Sequence, residues 1–137
     1  MQTQAIICEY NPFHNGHAYQ IQAGKEAAGS THTLALMSGS VVQRGTFAVA
    51  DKWLRARTAL LSGADLVCER PFCYAAQSAE YFAAGAVKIL NATGVCDTLC
   101  FGSEAGDLEA LSAVAQSLAF ETPAFREALK AFLGQGL

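Results

Sequence analysis

Ile7-Cys8-Glu9-Tyr10-Asn11-Pro12-Phe13-His14-Asn15-Gly16-His17 is the stretch that decides the fold. The apolar run Ala5-Ile6-Ile7-Cys8 leads into it as a buried strand, and Asn11-Pro12 turns the chain. A helix then opens on two histidines that flank a glycine. Backbone N–H groups at a helix start lack intrahelical partners, and the helix dipole adds positive potential there, so a strand–turn–helix of this kind suits an anion. Imidazoles can donate to phosphate oxygens, and Gly16 lets a phosphate or a flat ring approach the backbone. Nucleotide binding through this turn is the first expectation.

Outward from the turn, apolar runs at 4–9, 33–37, 64–69 and 97–102 read as buried strands. Helical stretches are expected at 15–28, 51–62, 77–92, 107–119 and 123–133. Ser78 and Asp107 are candidate helix starts, and Gly29, Gly63 and Gly94 candidate stops. Phe125, Leu129, Phe132 and Leu133 form an apolar stripe in the last stretch, Thr122 to Leu137. Strands that alternate with helices imply an α/β, Rossmann-like three-layer sandwich around a parallel sheet, with ligands at the strands' carboxyl ends near the switch point. The chain at those ends carries Ser38, Gly39, Arg44, Glu69, Arg70 and Gly102, with Lys52 at the start of the next helix. We expect residues 1–137 to form a single domain.

The chain has 137 residues, 52% of them apolar and 15% charged, which excludes wholesale disorder. No apolar run reaches the length of a membrane span, and the N-terminus lacks the pattern of a signal peptide, so a cytoplasmic protein is expected. The net charge of −3 argues against RNA binding driven by charge alone. Arg44, Lys52, Arg55, Arg57 and Arg70 nevertheless concentrate positive charge. They read either as a solvated helix face or as a site for phosphate or an acidic partner. Glu69 and Arg70 read as a local ion pair, and Asp51 as the cap of the helix carrying Lys52 and Trp53. Cys8, Cys68, Cys73, Cys96 and Cys100 make no pairing framework; reduced thiols are expected, and no metal.

His14-x-Gly16-His17 after the first strand resembles the signature of the nucleotidylyl transferase superfamily. The longer text is more specific. Glu9 to His17, Met37-Ser38-Gly39-x-x-Val42-Gln43-Arg44-Gly45, Asp51-Lys52-Trp53, Gly63-Ala64-Asp65-Leu66-Val67 and Phe101-Gly102-Ser103-Glu104 resemble the N-terminal part of the bacterial tRNA(Met) cytidine acetate ligases. The resemblance implies the HIGH-type fold and a two-step reaction. ATP and acetate give acetyl-adenylate, and the acetyl group passes to the wobble cytidine of elongator tRNA(Met), yielding N4-acetylcytidine. It implies ATP contacts from Ile7, Cys8, Glu9, Tyr10, Asn11, Pro12, Phe13, His14, Asn15, Gly16, His17 and Gly102, with His14 and His17 as the catalytic pair. Ser38, Gly39, Arg44 and Lys52 are candidates for phosphate or substrate. ATP is the expected co-substrate, with Mg2+ as an ion that could accompany it; tRNA would be engaged mostly by regions beyond these residues. Two rival readings are an adenylyltransferase acting on a small phosphorylated coenzyme precursor and a non-catalytic nucleotide-binding module.

Overall fold

The computed structural model describes residues 1–134. Two compact units divide the chain, Met1–Phe101 and Gly102–Leu137. The first contains β1 (Thr3–Cys8), α1 (Asn15–Ala28), β2 (His32–Ser38), α2 (Lys52–Leu61), β3 (Leu66–Arg70), α3 (Phe72–Ala75), α4 (Ala79–Thr93) and β4 (Thr98–Cys100). The four strands pair in parallel in the order β3-β2-β1-β4. The chain therefore steps outward from β1 to β3 and then returns to the far side of β1.

Side-chain alternation along the strands fixes the layers, because successive residues face opposite sides of the sheet. Ile6, Ala35 and Met37 point to one face and pack with Ile21 of α1 and Ala59 of α2. Ala5, Leu34 and Leu36 point to the other and pack with Ala86 and Leu90 of α4. A reversal in stepping direction, combined with right-handed crossovers, requires α4 to lie opposite α1 and α2. The three-layer α/β sandwich expected from the sequence is the architecture found.

Buried polar groups tie the layers together. Gln4 of β1 is fully buried and donates from Nε2 to Ile21 O and Thr33 Oγ1, both at 2.8 Å. Gly24 of α1 lies over it, where a Cβ would collide with the Gln4 carboxamide and the Cys100 sulfur. Asp65 Oδ2 accepts from Lys25 Nζ at 2.9 Å and from Thr33 N at 2.8 Å, joining α1, β2 and the start of β3.

The second unit contains α5 (Leu108–Ala119), capped by Asp107 through Ala110 N, and α6 (Pro123–Leu133), capped by Thr122 through Phe125 N. No residue of either helix is buried; of the expected α6 stripe, only Phe125 is half-covered. The end of the expected last stretch, residues 135–137, lies outside the described residues.

Sequence-expected helices and observed ones agree closely, and β4 is shorter than the run at 97–102. Gly29 and Gly94 end α1 and α4 in the left-handed conformation, while Ser62 ends α2 one residue before Gly63. Ser78 precedes α4, but its hydroxyl makes no capping bond.

Candidate nucleotide-binding site

The carboxyl end of β1 is also the switch point, since β2 and β4 flank it and their connections leave in opposite directions. The turn Glu9–Phe13 leaves this edge with Tyr10 at φ 48, a left-handed conformation that costs a non-glycine residue energy. Burial holds Tyr10 there. Its ring belongs to the core, edge-on to Phe13 at 4.8 Å and tilted against His17 at 4.9 Å. Tyr10 Oη, buried, finds no hydrogen-bond partner among the described residues.

His14 is the N-cap of α1 and closes a reciprocal capping box with His17. His14 Nδ1 accepts from Gly16 N at 3.1 Å, and His17 Nδ1 accepts from His14 N at 3.2 Å. The imidazoles stack with centroids 3.7 Å apart. An Nδ1 that accepts cannot carry a proton, so each neutral ring holds its hydrogen on Nε2, leaving that atom free as a donor. Burial, and then the neighbouring His14, push the His17 pKa below its ordinary value, which favours the same neutral state. The helix start thus differs from the expectation of open backbone donors. The amides of His14 and Gly16 are covered by imidazole, and those of His17 and Ala18 bond to His14 O. The imidazoles move the available donors outward from the backbone.

The other expected site residues fall into three groups. Ile7 and Cys8 lie in β1 with side chains against opposite core clusters, and burial pushes the Cys8 thiol up to about 12. Glu9, Asn11, Ser38 and Gly39 gather at the sheet edge. Glu9 Oε1 accepts from Gln43 N at 2.7 Å and lies 3.4 Å from the buried Ser38 hydroxyl; Asn11 Oδ1 accepts from Val49 N at 2.7 Å. Those bonds fold the β2–α2 loop over the turn, with Val41 and Phe47 bridged. Pro12, His14, Asn15, Gly16 and Arg44 are exposed, Phe13 and Lys52 half-buried. Gly102 opens the second unit and is exposed.

Several charged residues depart from expectation. Glu69 does not pair with Arg70: Glu69 Oε2 bonds Lys52 Nζ at 2.6 Å, and Arg70 Nη2 donates to Ser38 Oγ at 2.6 Å. Alternation along β3 sends the two side chains to opposite faces, which separates them. The buried Arg70 guanidinium lies 3.4 Å over the Phe82 ring. Arg55 is likewise buried and donates to the carbonyls of Ala50, Glu9, Ser38 and Gly39. The arginine cluster is therefore neither one solvated face nor one phosphate site, because two of its members are internal braces. Asp51 caps α2 as expected, through Trp53 N and Leu54 N. Sequence reading missed the Arg55 brace; the signal was a cation in register with Ala59 on the only small-residue face of α2.

A model of the HIGH Nucleotidyl Transferase family matches residues 1–137. The tRNA(Met) cytidine acetate ligase of Caldicellulosiruptor saccharolyticus is 51% identical over 136 residues, covering 99% of this chain and 34% of that protein. The protein of the same name from Alkaliphilus metalliredigens is 50% identical over 137 residues, covering 100% and 32%. Among solved structures, Thermotoga maritima TmcAL bound with alpha-thio ATP superposes with a TM-score of 0.90 at 43% identity, covering 100% of this chain and 33% of that one. The chain spans about a third of the length of the relatives it matches.

Proposed function

We propose, from the premise that this chain belongs to the HIGH nucleotidyl transferase family, that residues 1–137 are the ATP-binding N-terminal part of a tRNA(Met) cytidine acetate ligase. One observation carries the reading: the stacked His14–His17 pair sits at the switch point of the sheet with both Nδ1 atoms committed to backbone. Two fixed Nε2–H donors then face whatever lies at the start of α1, and phosphate oxygens accept such bonds.

In the whole ligase, acetate attacks the α-phosphate of ATP, and pyrophosphate leaves. Negative charge grows on the phosphate oxygens during that attack. Donors already held in position stabilise it without reorganising. His14 and His17 fill that role, Gly16 admits the phosphate, and Glu9 to Phe13 shape the wall of the nucleotide. Asn15 is a further ATP contact in this reading. A Mg2+ ion bound with ATP would offset the charge of the triphosphate. The second step acetylates the wobble cytidine of elongator tRNA(Met) in the cytoplasm, with other parts of the ligase holding the tRNA.

Calorimetry with ATP tests the site, and saturable binding to the folded chain is expected. Absence of binding would remove the proposal. Pyrophosphate exchange supported by phosphopantetheine or nicotinamide mononucleotide, and not by acetate, would transfer the chain to the coenzyme-precursor class. ATP binding in the full-length protein without any acetyl-adenylate would make it a nucleotide-binding module instead.

A further inference from the structure

Beside the nucleotide turn, at the carboxyl ends of β2 and β3, lies an open cavity of about 170 Å³ lined by residues including Gly39, Val41, Glu69, Arg70 and Phe72. Its rim is aromatic and cationic. Phe72 is 66% exposed, Phe47 82% and Trp53 76%, although large aromatics ordinarily favour burial. All three connect to the cavity. Phe72 lines it, Phe47 bridges to its wall at Val41, and Lys52 Nζ links Glu69 to the Trp53 ring, 5.3 Å from the ring centroid. Arg44 lies in the hairpin between Val41 and Phe47, and Arg57 is exposed on α2 with Trp53.

Glu69 gives the cavity a chemical preference. Its Oε2 takes Lys52 Nζ, while Oε1 accepts no hydrogen bond among the described residues and lies against Gly39, where a Cβ would collide with it. The pair offers an acceptor beside a donor, in a pocket edged by rings on which a base can stack. Carboxylates recognise the N4 amine of cytosine by accepting from it. Cytosine shows that donor beside the N3 acceptor, complementary to Glu69 beside Lys52, whereas uracil shows the reverse order. We propose that this cavity receives an unpaired cytosine base of RNA, with N4 on Glu69, the ring against Phe72, and Arg44 and Arg57 near the flanking phosphates. The proposal rests on the acetate-ligase reading and adds to it the subsite for the acceptor base.

Trp53 is the only tryptophan of the chain, so its fluorescence reports on this rim. Titration at low salt compares two single-stranded RNA heptamers that differ only in a central cytosine or uracil. The cytosine oligomer should quench Trp53 and bind at least about tenfold tighter, the value of one hydrogen bond to a charged acceptor. Glu69→Gln should bring the two affinities together, and Phe72→Ala should weaken both about tenfold through lost stacking. Equal binding by the wild-type chain would overturn the proposal and leave the rim to a protein segment. So would a cytosine preference that survives Glu69→Gln, or the absence of any binding. ATP calorimetry on the same wild-type sample separates the failures: ATP bound without cytosine preference sinks this subsite alone, whereas no ATP binding sinks the nucleotide site.

Discussion

A single hydrogen bond per ring decides what His14 and His17 can do. Because each Nδ1 accepts from a backbone amide, a neutral ring keeps its hydrogen on Nε2, the remaining donor. Removing one of them deletes an Nε2–H donor and half of the capping box. His17→Ala should weaken ATP binding by about 1–3 kcal/mol, the range for hydrogen bonds to charged groups, read by calorimetry on a variant shown to be folded. Unchanged affinity would disconnect the pair from the nucleotide. A pH effect follows from the same geometry. Burial and then His14 lower the native pKa of His17 below its ordinary 6.5. Above about pH 6.5 the ring is neutral in both the folded and unfolded states, and its contribution is intact. As pH falls through that value the unfolded chain takes the proton first, so stability declines until the native ring also titrates. Urea unfolding between about pH 7 and 5 should therefore show a shallower loss for His17→Ala than for the wild type; parallel curves would contradict the burial of the His17 ring against Tyr10 and Phe13.

Helix α2 shows how an element's span can be foreseen while its orientation is not. Its span and Asp51 cap were legible because alternating apolar text and an acidic N-cap act locally. Its orientation was not. Trp53, Leu54 and Leu61 suggest the buried face, yet they are exposed, and Arg55 and Ala59 face the sheet. The reason lies in the neighbours. The carboxyl ends of β1 and β2 leave the carbonyls of Glu9, Ser38 and Gly39 without strand partners, and only a long multi-donor side chain reaches all three. That requirement arises from the sheet and is invisible in α2 alone. Likewise the Glu69–Arg70 neighbours suggested an ion pair until strand alternation separated them. The strand–turn–helix was readable because it is contiguous in sequence; the braces beneath it join residues up to 46 positions apart. Arg55→Ala should cost about 2–4 kcal/mol in urea unfolding, since several buried carbonyls lose their donor together. Trp53→Ser, on the same helix, should change stability by less than about 1 kcal/mol. Similar losses from both would mean that α2 is oriented as its apolar residues suggest.

At the scale of the molecule, charge limits what the chain can hold by itself. Nine Lys and Arg face twelve Asp and Glu. Arg55 and Arg70 are buried, and Lys25, Lys52 and Arg126 pair with carboxylates. Few cations are left to neutralise phosphates, and affinity for a polyanion comes mostly from that neutralisation. A subsite for one base adds preference without adding much grip, because stacking and one carboxylate contact give discrimination while phosphate contacts give the bulk of the binding. The relatives are about three times as long and have surface beyond the part this chain matches. The chain alone should therefore bind intact tRNA(Met) more weakly than about 10 micromolar at physiological salt, within the range of non-specific association. A gel-shift titration across salt concentrations checks this. Tight binding with a steep salt dependence would require a basic surface that the paired and buried cations do not supply.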